Sequence, residues 1–252
     1  MLALIGLGLG PKDVSAGALE FIRSADIVLL ESYTSILAKG TIEFIESETG
    51  ATMERTKRSD FEDNLKATVT RAKDAAVAVL VIGDPLVATT HHIILDEARR
   101  QGVKTAVFHS SSIFSAGIGE SGLDIYRFGP TTTVPFWSER YRPTSFMDVI
   151  LRNKSNGQHT LVLLDIDQER GSPMGIDYAA ETMAKAGSAA LAGESVVIVL
   201  ADLGRQGQAI ILTRLSDLHG LSGRLAGKTL ALIFPARLNF AEEEAVRRLE
   251  TA

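Results

Sequence analysis

Residues 77–91 read VAVLVIGDPLVATTH, an apolar run followed at once by a turn. The run at 77–82 has the length and the β-branched content of a buried strand. Gly83-Asp84-Pro85 then predicts a sharp turn, because Pro85 lacks a backbone N–H and glycine accepts conformations that other residues avoid. Ligands bind outside the carboxyl ends of parallel strands, so we expect a ligand-binding turn here. A simpler alternative is that Asp84 only hydrogen-bonds its own turn.

Outward from this segment, the first half of the chain alternates apolar runs with helical patterns. The runs lie at residues 2–7, 27–31, 76–82 and 103–108, and the helical patterns lie near 14–24, 35–48 and 93–101. Such alternation without hairpin signals predicts a mostly parallel sheet covered on both faces. The polar, small-residue stretch at 109–122 is the candidate boundary. We therefore predict a mostly parallel α/β domain over residues 1–110.

The second half predicts a mixed α/β domain over residues 111–252. Strand-like runs lie at 131–136, 160–165, 196–201, 209–213 and 229–234, with helices near 178–186 and 241–249. Asn239 precedes the last helix, and Glu242 lies three residues after Asn239, which is the spacing of a capping box. The predicted fold class is therefore two α/β domains, in a chain long enough to form an interdomain cleft.

The composition is that of an ordinary globular protein, with 45% hydrophobic and 23% charged residues in 252. A net charge of -5 argues against a nucleic-acid partner, because such proteins concentrate Lys and Arg to neutralise phosphates. The chain has no cysteine, which excludes disulfides, thiolate zinc sites and thiol nucleophiles. A protein surface or a small molecule is the expected substrate.

The N-terminal residues and the apolar runs predict neither a signal peptide nor a membrane span. The chain starts MLALIG without a basic leader, and glycines soon break the apolar run, so we expect no signal peptide. The apolar stretches at 75–82 and 196–201 are too short to cross a bilayer. We therefore predict a cytoplasmic protein with no membrane partner.

The glycine-rich turn at 6–11, GLGLGP, invites comparison with dinucleotide-binding loops, with Glu31 where a ribose-binding acid would lie. The comparison fails because Pro11 occupies the place of the small residue on which the helix packs. The predicted helix also starts later, near Asp13 or Ser15. A tight connection between strand and helix remains the alternative for this turn.

Other reactive residues are more simply structural. Adjacent His91 and His92 diverge on a regular element and have no partner motif, so we predict no metal site. The serines at 110–112 lack the GxSxG frame of a nucleophile elbow. Asp165 and Asp167 have the spacing of a carboxylate pair, but period-2 alternation also places them at a strand end.

Several segments together carry a resemblance to a known family. In order and spacing, seven segments resemble those of the diphthine synthases, a branch of the tetrapyrrole methylase-like class of S-adenosylmethionine-dependent methyltransferases: GLGLG (6–10), ESYTS (31–35), GDPLVATTH (83–91), SSI (111–113), YRFG (126–129), PTSF (143–146) and HTLVLLDI (159–166). The GDP turn is typical of the whole class, whereas GDPLVATTH with HTLVLLDI is specific to this branch. The last third of the chain matches by pattern only.

The resemblance implies a tetrapyrrole methylase-like fold with S-adenosylmethionine bound in the cleft between the domains and S-adenosylhomocysteine as the product. This donor carries no phosphate and needs no basic cradle. The family's donor contacts fall on eight mostly apolar positions: Leu9, Asp84, Val87, Ser112, Ile113, Leu164, Leu203 and Leu230. The segments on the substrate side point to Tyr33, Trp137, Arg140 and Arg142.

The resemblance also implies the reaction, which is methylation of the amino group of a modified histidine on translation elongation factor 2, giving diphthine. It implies a homodimer. Transfer from a sulfonium to an unprotonated amine depends chiefly on proximity, so no catalytic residue is named. Two alternatives stay open, a methyltransferase of precorrin-type tetrapyrroles and a donor-binding protein without catalytic activity.

Overall fold

The computed structural model describes residues 1–31, 33–167, 171–187, 191 and 195–251. Its contacts divide the chain into two compact units, Met1–Ser112 and Ile113–Ala252. The predicted fold class is confirmed, because one unit holds a parallel sheet and the other a mixed sheet. The predicted interdomain cleft stays a prediction. No helix in the described ranges is long and apolar enough to cross a membrane.

The first unit is a parallel sheet between two layers of helices. Its strands are β1 Leu2–Gly6, β2 Ile27–Glu31, β3 Glu54–Thr56, β4 Val77–Val81 and β5 Thr105–Phe108. Its helices are α1 Ala16–Ser24, α2 Thr41–Thr49, α3 Arg58–Glu62, α4 Leu65–Thr70 and α5 His92–Arg100. The strand order is β3-β2-β4-β1-β5, and every pairing in the sheet is parallel.

Strand alternation divides the core of this unit between the two faces. Leu2 and Leu4 of β1 pack on one face with residues of α4 and α5, including Ile94. Ile5 packs on the other face with residues of α1 and α2, including Ile22. Burial of both faces explains why the central strands β1 and β4 are apolar throughout and do not alternate with polar residues.

This arrangement creates a switch point between β1 and β4. The two strands are neighbours, but β1 leads into α1 on one face and β4 leads into α5 on the other. The connections that leave their carboxyl ends therefore diverge. Ligands of open α/β sheets bind in the crevice at such a point.

The second unit is built on a mixed sheet of order β13-β11-β10-β12-β7-β6, with a separate β8-β9 pair. Its strands are β6 Thr132–Val134, β7 Thr160–Leu164, β8 Ile166–Asp167, β9 Ser172–Pro173, β10 Val196–Ala201, β11 Ala209–Arg214, β12 Leu230–Phe234 and β13 Glu250–Thr251. Its helices are α6 Ile113–Glu120, α7 Ser145–Ser155, α8 Ile176–Lys185, α9 Ser222–Leu225 and α10 Phe240–Val246. The predicted capping box on α10 is confirmed, since Asn239 Oδ1 accepts from the Glu242 N–H at 3.0 Å.

Three local predictions were incomplete. Helix α2 begins at Thr41 and not near residue 35, because Gly40 before it has a φ of 90° outside the helical region. Helix α6 lies inside the stretch at 109–122, for which the sequence predicted a boundary but no helix. Its Gly117 would place a Cβ 2.8 Å from Leu200 Cδ1, so tertiary packing favours a residue that is a poor helix former. Helix α7 was not predicted.

Candidate functional site

Three connections meet at the carboxyl edge of the parallel sheet, after β1, β4 and β5. The first two are joined by a pair of backbone hydrogen bonds, from Gly8 N to Gly83 O at 3.1 Å and from Gly83 N to Gly8 O at 3.0 Å. A Cβ on Gly6 would lie 2.7 Å from Gly83 O and 2.9 Å from Ser110 Cβ. Glycine at position 6 therefore lets the three connections approach one another, and the edge carries a backbone platform.

Asp13 organises the glycine-rich turn. Its Oδ2 accepts from Leu9 N at 3.1 Å, Gly10 N at 2.9 Å and Ser111 Oγ at 2.7 Å. Ser111 Oγ also lies 3.1 Å from Leu9 N, and Ser110 Oγ donates to the Asp13 carbonyl at 2.9 Å. One carboxylate thus orders the first connection and ties it to the third. Sequence reasoning did not single out Asp13, although an aspartate after a glycine turn is a signal of side chain to backbone bonding.

Asp84 ties the second connection to the third. It is 6% exposed, and its Oδ1 accepts from Leu86 N at 3.0 Å within its own turn. Its Oδ2 accepts from Ser110 N at 3.2 Å and lies 2.8 Å from His109 Nδ1. Asp84 thus bonds its own turn, which was the simpler alternative considered from the sequence. It also contacts the connection after β5, which the sequence did not predict. Asp84 therefore holds the backbone of its own turn through Leu86 N–H and the backbone after β5 through Ser110 N–H.

The other predicted donor contacts of the first unit lie on the same edge. Leu9 and Val87 are half-buried and Ser112 is buried. Ala88, next to Val87, has a φ of 56°, a left-handed conformation that non-glycine residues seldom adopt. Such positions are often found at ligand sites, where the surrounding structure offsets their cost.

The predicted donor contacts of the second unit gather at one end of its own sheet. Leu230 pairs with Ala201 across β12 and β10, and the neighbouring pair Ala231 and Leu163 places Leu164 beside Leu230. Leu203 follows directly after β10. Ile113 belongs to this unit as the first residue of α6, apart from the strand ends.

A buried polar cluster joins the end of β2 to the start of α5. Glu31, with no exposed surface, accepts from the backbone N–H groups of Tyr33 and Thr34 and from the Thr34 hydroxyl. His91, 2% exposed, has Nε2 3.5 Å from the Tyr33 hydroxyl and 4.0 Å from Glu31 Oε2. The Tyr33 and Phe61 rings both meet the His91 ring edge-on.

Burial is the largest influence on the pKa values of His91 and Tyr33 in this cluster. Burial lowers the pKa of His91, against the opposite effect of the Glu31 carboxylate. Burial and the Glu31 charge both raise the pKa of Tyr33 above its usual range. Glu31 is fully engaged here, which removes it as a ribose-binding acid. Among the described residues, no group of three His, Cys, Asp or Glu could hold a metal ion.

The remaining predicted substrate residues lie on the connection between β6 and α7. Trp137 is half-buried, and its backbone N–H and C=O both bond the Tyr178 hydroxyl, at 3.1 and 2.9 Å. Arg140 and Arg142 are exposed. Tyr33 belongs to the first unit, and Trp137, Arg140 and Arg142 belong to the second.

Two of the motif segments are structural. His159 of HTLVLLDI is fully buried, with Nε2 2.9 Å from Glu242 Oε1 and Nδ1 accepting from Ala236 N at 3.0 Å. Arg127 of YRFG bonds the other oxygen of Glu242. Asp165 Oδ1 accepts from its neighbour Ile166 N–H at 2.8 Å, as expected at a strand end.

Comparisons with known proteins agree with the resemblance. The family model of Tetrapyrrole (Corrin/Porphyrin) Methylases matches residues 1–219. A diphthine synthase of Methanothermobacter thermautotrophicus is 38% identical over 250 residues, which cover 97% of this chain and 93% of the relative. A diphthine methyl ester synthase of Mus musculus is 43% identical over 167 residues, 66% of this chain and 59% of the relative. A crystal structure of diphthine synthase superposes with a TM-score of 0.89 at 35% identity, covering 100% of this chain and 96% of the other.

Proposed function

Because this chain belongs to the diphthine synthases, within the tetrapyrrole methylases, we propose that it methylates translation elongation factor 2. The chain is an S-adenosylmethionine-dependent methyltransferase of diphthamide biosynthesis. The proposed acceptor is the amino group of the modified histidine, and the proposed product is diphthine. The protein is proposed to act in the cytoplasm as a homodimer, and light scattering of the purified protein tests the dimer.

One observation carries the proposal, namely the platform of three bonded connections at the switch point of the parallel sheet. Its fixed groups are backbone amides, hydroxyls and the Asp13 and Asp84 carboxylates. The two carboxylates favour a donor that has no phosphate and carries a cationic sulfonium, because they repel a phosphate and attract a cation. The proposed donor contacts are those that the resemblance implies: Leu9, Asp84, Val87, Ser112, Ile113, Leu164, Leu203 and Leu230.

Donor binding is tested by calorimetry with S-adenosylmethionine and S-adenosylhomocysteine in the presence of a chelator. We expect micromolar affinity without added metal, because the Asp13 and Asp84 carboxylates of the platform accept hydrogen bonds from backbone N–H groups and the Ser111 hydroxyl. Dependence on a divalent ion, or preference for a nicotinamide dinucleotide, would overturn the donor assignment.

On the acceptor side, Arg140 and Arg142 are the proposed contacts for the substrate carboxylate, and Tyr33 and Trp137 for the methylated ammonium. Aromatic faces attract a desolvated cation by roughly 0.5–2 kcal/mol, and a trimethylammonium has no N–H left for polar partners. The exposure of both arginines supports this role, since they are open to a macromolecular substrate.

The deciding experiment incubates the protein with labelled donor and elongation factor 2 that carries the precursor, followed by mass spectrometry. Trimethylation of the amine is the expected result. A fourth, base-labile methyl would instead indicate the methyl ester named for the mouse relative, whose match covers 66% of this chain. Transfer to a precorrin-type tetrapyrrole alone, or donor binding without transfer, would support the two alternatives.

A further inference from the structure

We propose that Tyr33, His91 and Glu31 form a proton relay that removes one proton from the acceptor amine before each methyl transfer. The inference rests on the proposed function, because it assumes an amine acceptor at the carboxyl edge of the first unit. It adds a catalytic role to a reaction for which proximity alone names no base. Tyr33 is the member that meets the amine, and His91 and Glu31 act through it.

The geometry has the order that a relay requires. Tyr33 is half-buried at the end of β2, and its hydroxyl lies 3.5 Å from His91 Nε2. His91 is 2% exposed, and its Nε2 lies 4.0 Å from Glu31 Oε2. Exposure thus falls from Tyr33 through His91 to Glu31, which has no exposed surface. Only the tyrosine can meet a bound substrate.

The position in the fold connects the cluster to the donor platform. β2 and β4 are neighbouring parallel strands, so the turn after Glu31 and the connection that ends at His91 leave the same edge. That second connection contains the Gly83 turn of the platform. His91 is also unusual among buried side chains, since its Nδ1 makes no hydrogen bond of ordinary geometry to any described residue. A buried polar atom left in this way is costly, and functional sites are one place where the cost is tolerated.

The chemistry needs such an acceptor. An ammonium has no lone pair, so it must lose a proton before its nitrogen can attack the methyl group. In the relay, the ammonium proton passes to Tyr33 Oη while the Tyr33 proton passes to His91 Nε2. The nitrogen lone pair then forms the N–C bond as the C–S bond of the sulfonium breaks, and that electron pair stays on sulfur. Three transfers release three protons, and each returns to water through the half-buried tyrosine.

The charges around the cluster favour transfer over ionisation. Burial and Glu31 raise the pKa of Tyr33, so the phenol passes a proton on without becoming a phenolate. Helix α3 also faces Tyr33, with Glu62 and Asp60 raising its pKa and Arg58 lowering it. For His91, burial lowers the pKa and keeps the ring neutral as an acceptor, while Glu31 and the Pro85 carbonyl favour the protonated form.

A relay predicts a different phenotype from an aromatic contact. Tyr33→Phe keeps the ring face and removes only the hydroxyl. As a relay variant it slows all three methyl additions alike, because each needs one deprotonation. If Tyr33 were only an aromatic contact, Tyr33→Phe would methylate the substrate at the wild-type rate.

The test measures kcat/KM against pH for the wild type, Tyr33→Phe and His91→Gln, with precursor-bearing elongation factor 2. Both variants should lose on the order of 10- to 100-fold near pH 7 and approach wild type as pH rises, because solvent then supplies the neutral amine. The matched controls are Tyr126→Phe, at a tyrosine that is 92% exposed, and His92→Gln, at the exposed neighbour of His91. Controls should follow the wild-type profile.

The outcomes separate the two hypotheses. An inactive wild type refutes the proposed function, whereas an active wild type with variants that follow its pH profile refutes the relay alone. Nitrogen-15 NMR of the full chain provides a measurement that needs no turnover. The relay requires an unprotonated His91 Nε2 whose resonance shifts in Tyr33→Phe, and a protonated Nε2 in the resting protein would overturn it.

Discussion

Asp13→Ala removes the carboxylate that orders the glycine-rich turn. Three donors lose the Asp13 carboxylate, namely the N–H groups of Leu9 and Gly10 and the hydroxyl of Ser111, although Leu9 N–H keeps Ser111 Oγ as an acceptor. Gly8, with a φ of 74°, keeps its two backbone hydrogen bonds to Gly83, so the loss of order is confined to the residues that follow it. The turn should therefore populate conformations that move Leu9, a proposed donor contact, out of its present position.

The magnitude follows from the exposure of these bonds. A hydrogen bond contributes about 0.5–1.5 kcal/mol net, and two of the three lie at the exposed surface, where water replaces the lost partner. The total loss should be about 1–2 kcal/mol. If donor binding has to restore the order of the turn, this loss corresponds to roughly a 5- to 30-fold weaker affinity.

Calorimetry with S-adenosylhomocysteine measures this loss directly, with thermal unfolding as a parallel readout. The matched control is Asp63→Ala, at an exposed aspartate that ends α3. The control should leave affinity unchanged. An Asp13→Ala protein that binds the product as tightly as wild type, or a control that weakens binding equally, would refute the assignment of this turn to the donor.

Three further predictions concern other residues. Asp84→Ala should weaken donor binding about tenfold, and more than Glu31→Ala does, because Asp84 holds the platform whereas Glu31 holds the turn after β2. Equal effects of the two substitutions in calorimetry would mean that the donor has been assigned to the wrong connection. Trp137→Ala should cause mono- and dimethylated elongation factor 2 to accumulate in mass spectra, because it removes the aromatic face proposed to hold the methylated ammonium and keeps the backbone bonds to Tyr178. Uniform slowing of every methylation step counts against an aromatic contact. The free energy of unfolding should fall as pH drops from 7.5 to 5.5, because burial lowers the pKa of His159 in the folded protein. Below the ordinary histidine pKa of about 6.5, the unfolded chain binds a proton at His159 that the folded protein does not. A free energy from urea unfolding that stays constant over this pH range would contradict the prediction.

Local sequence patterns predicted much of the fold. Apolar runs marked β1, β2 and β4 because both faces of the inner part of a parallel sheet are buried, which leaves a nearly continuous apolar signal. Helix α6 was missed because Gly117 satisfies a contact with Leu200 that no local pattern reveals. Periodicity reports the immediate neighbourhood of a residue, and a packing contact with a distant strand is invisible to it.

The candidate site was predicted only in part, for a related reason. The Gly83 turn was evident because glycine, aspartate and proline are selected by the turn itself. Asp13 was missed because its significance depends on Ser111, which is 98 positions away in the chain. Asp84 was chosen for its own turn, and its contacts with the connection after β5 were not foreseen.

Short runs of sequence were enough to predict the class of the fold, the candidate ligand-binding edge and the family, because the residues in such runs are chosen by local conformation. Which connections meet follows instead from the order of the strands. The order β3-β2-β4-β1-β5 places β1 between β4 and β5, so that Asp13 reaches Ser111 and Asp84 reaches His109. The same order sets β2 beside β4 and brings Glu31 to His91. Strand order depends on how helices cover both faces of the sheet, which is a property of the packed chain and not of any single segment.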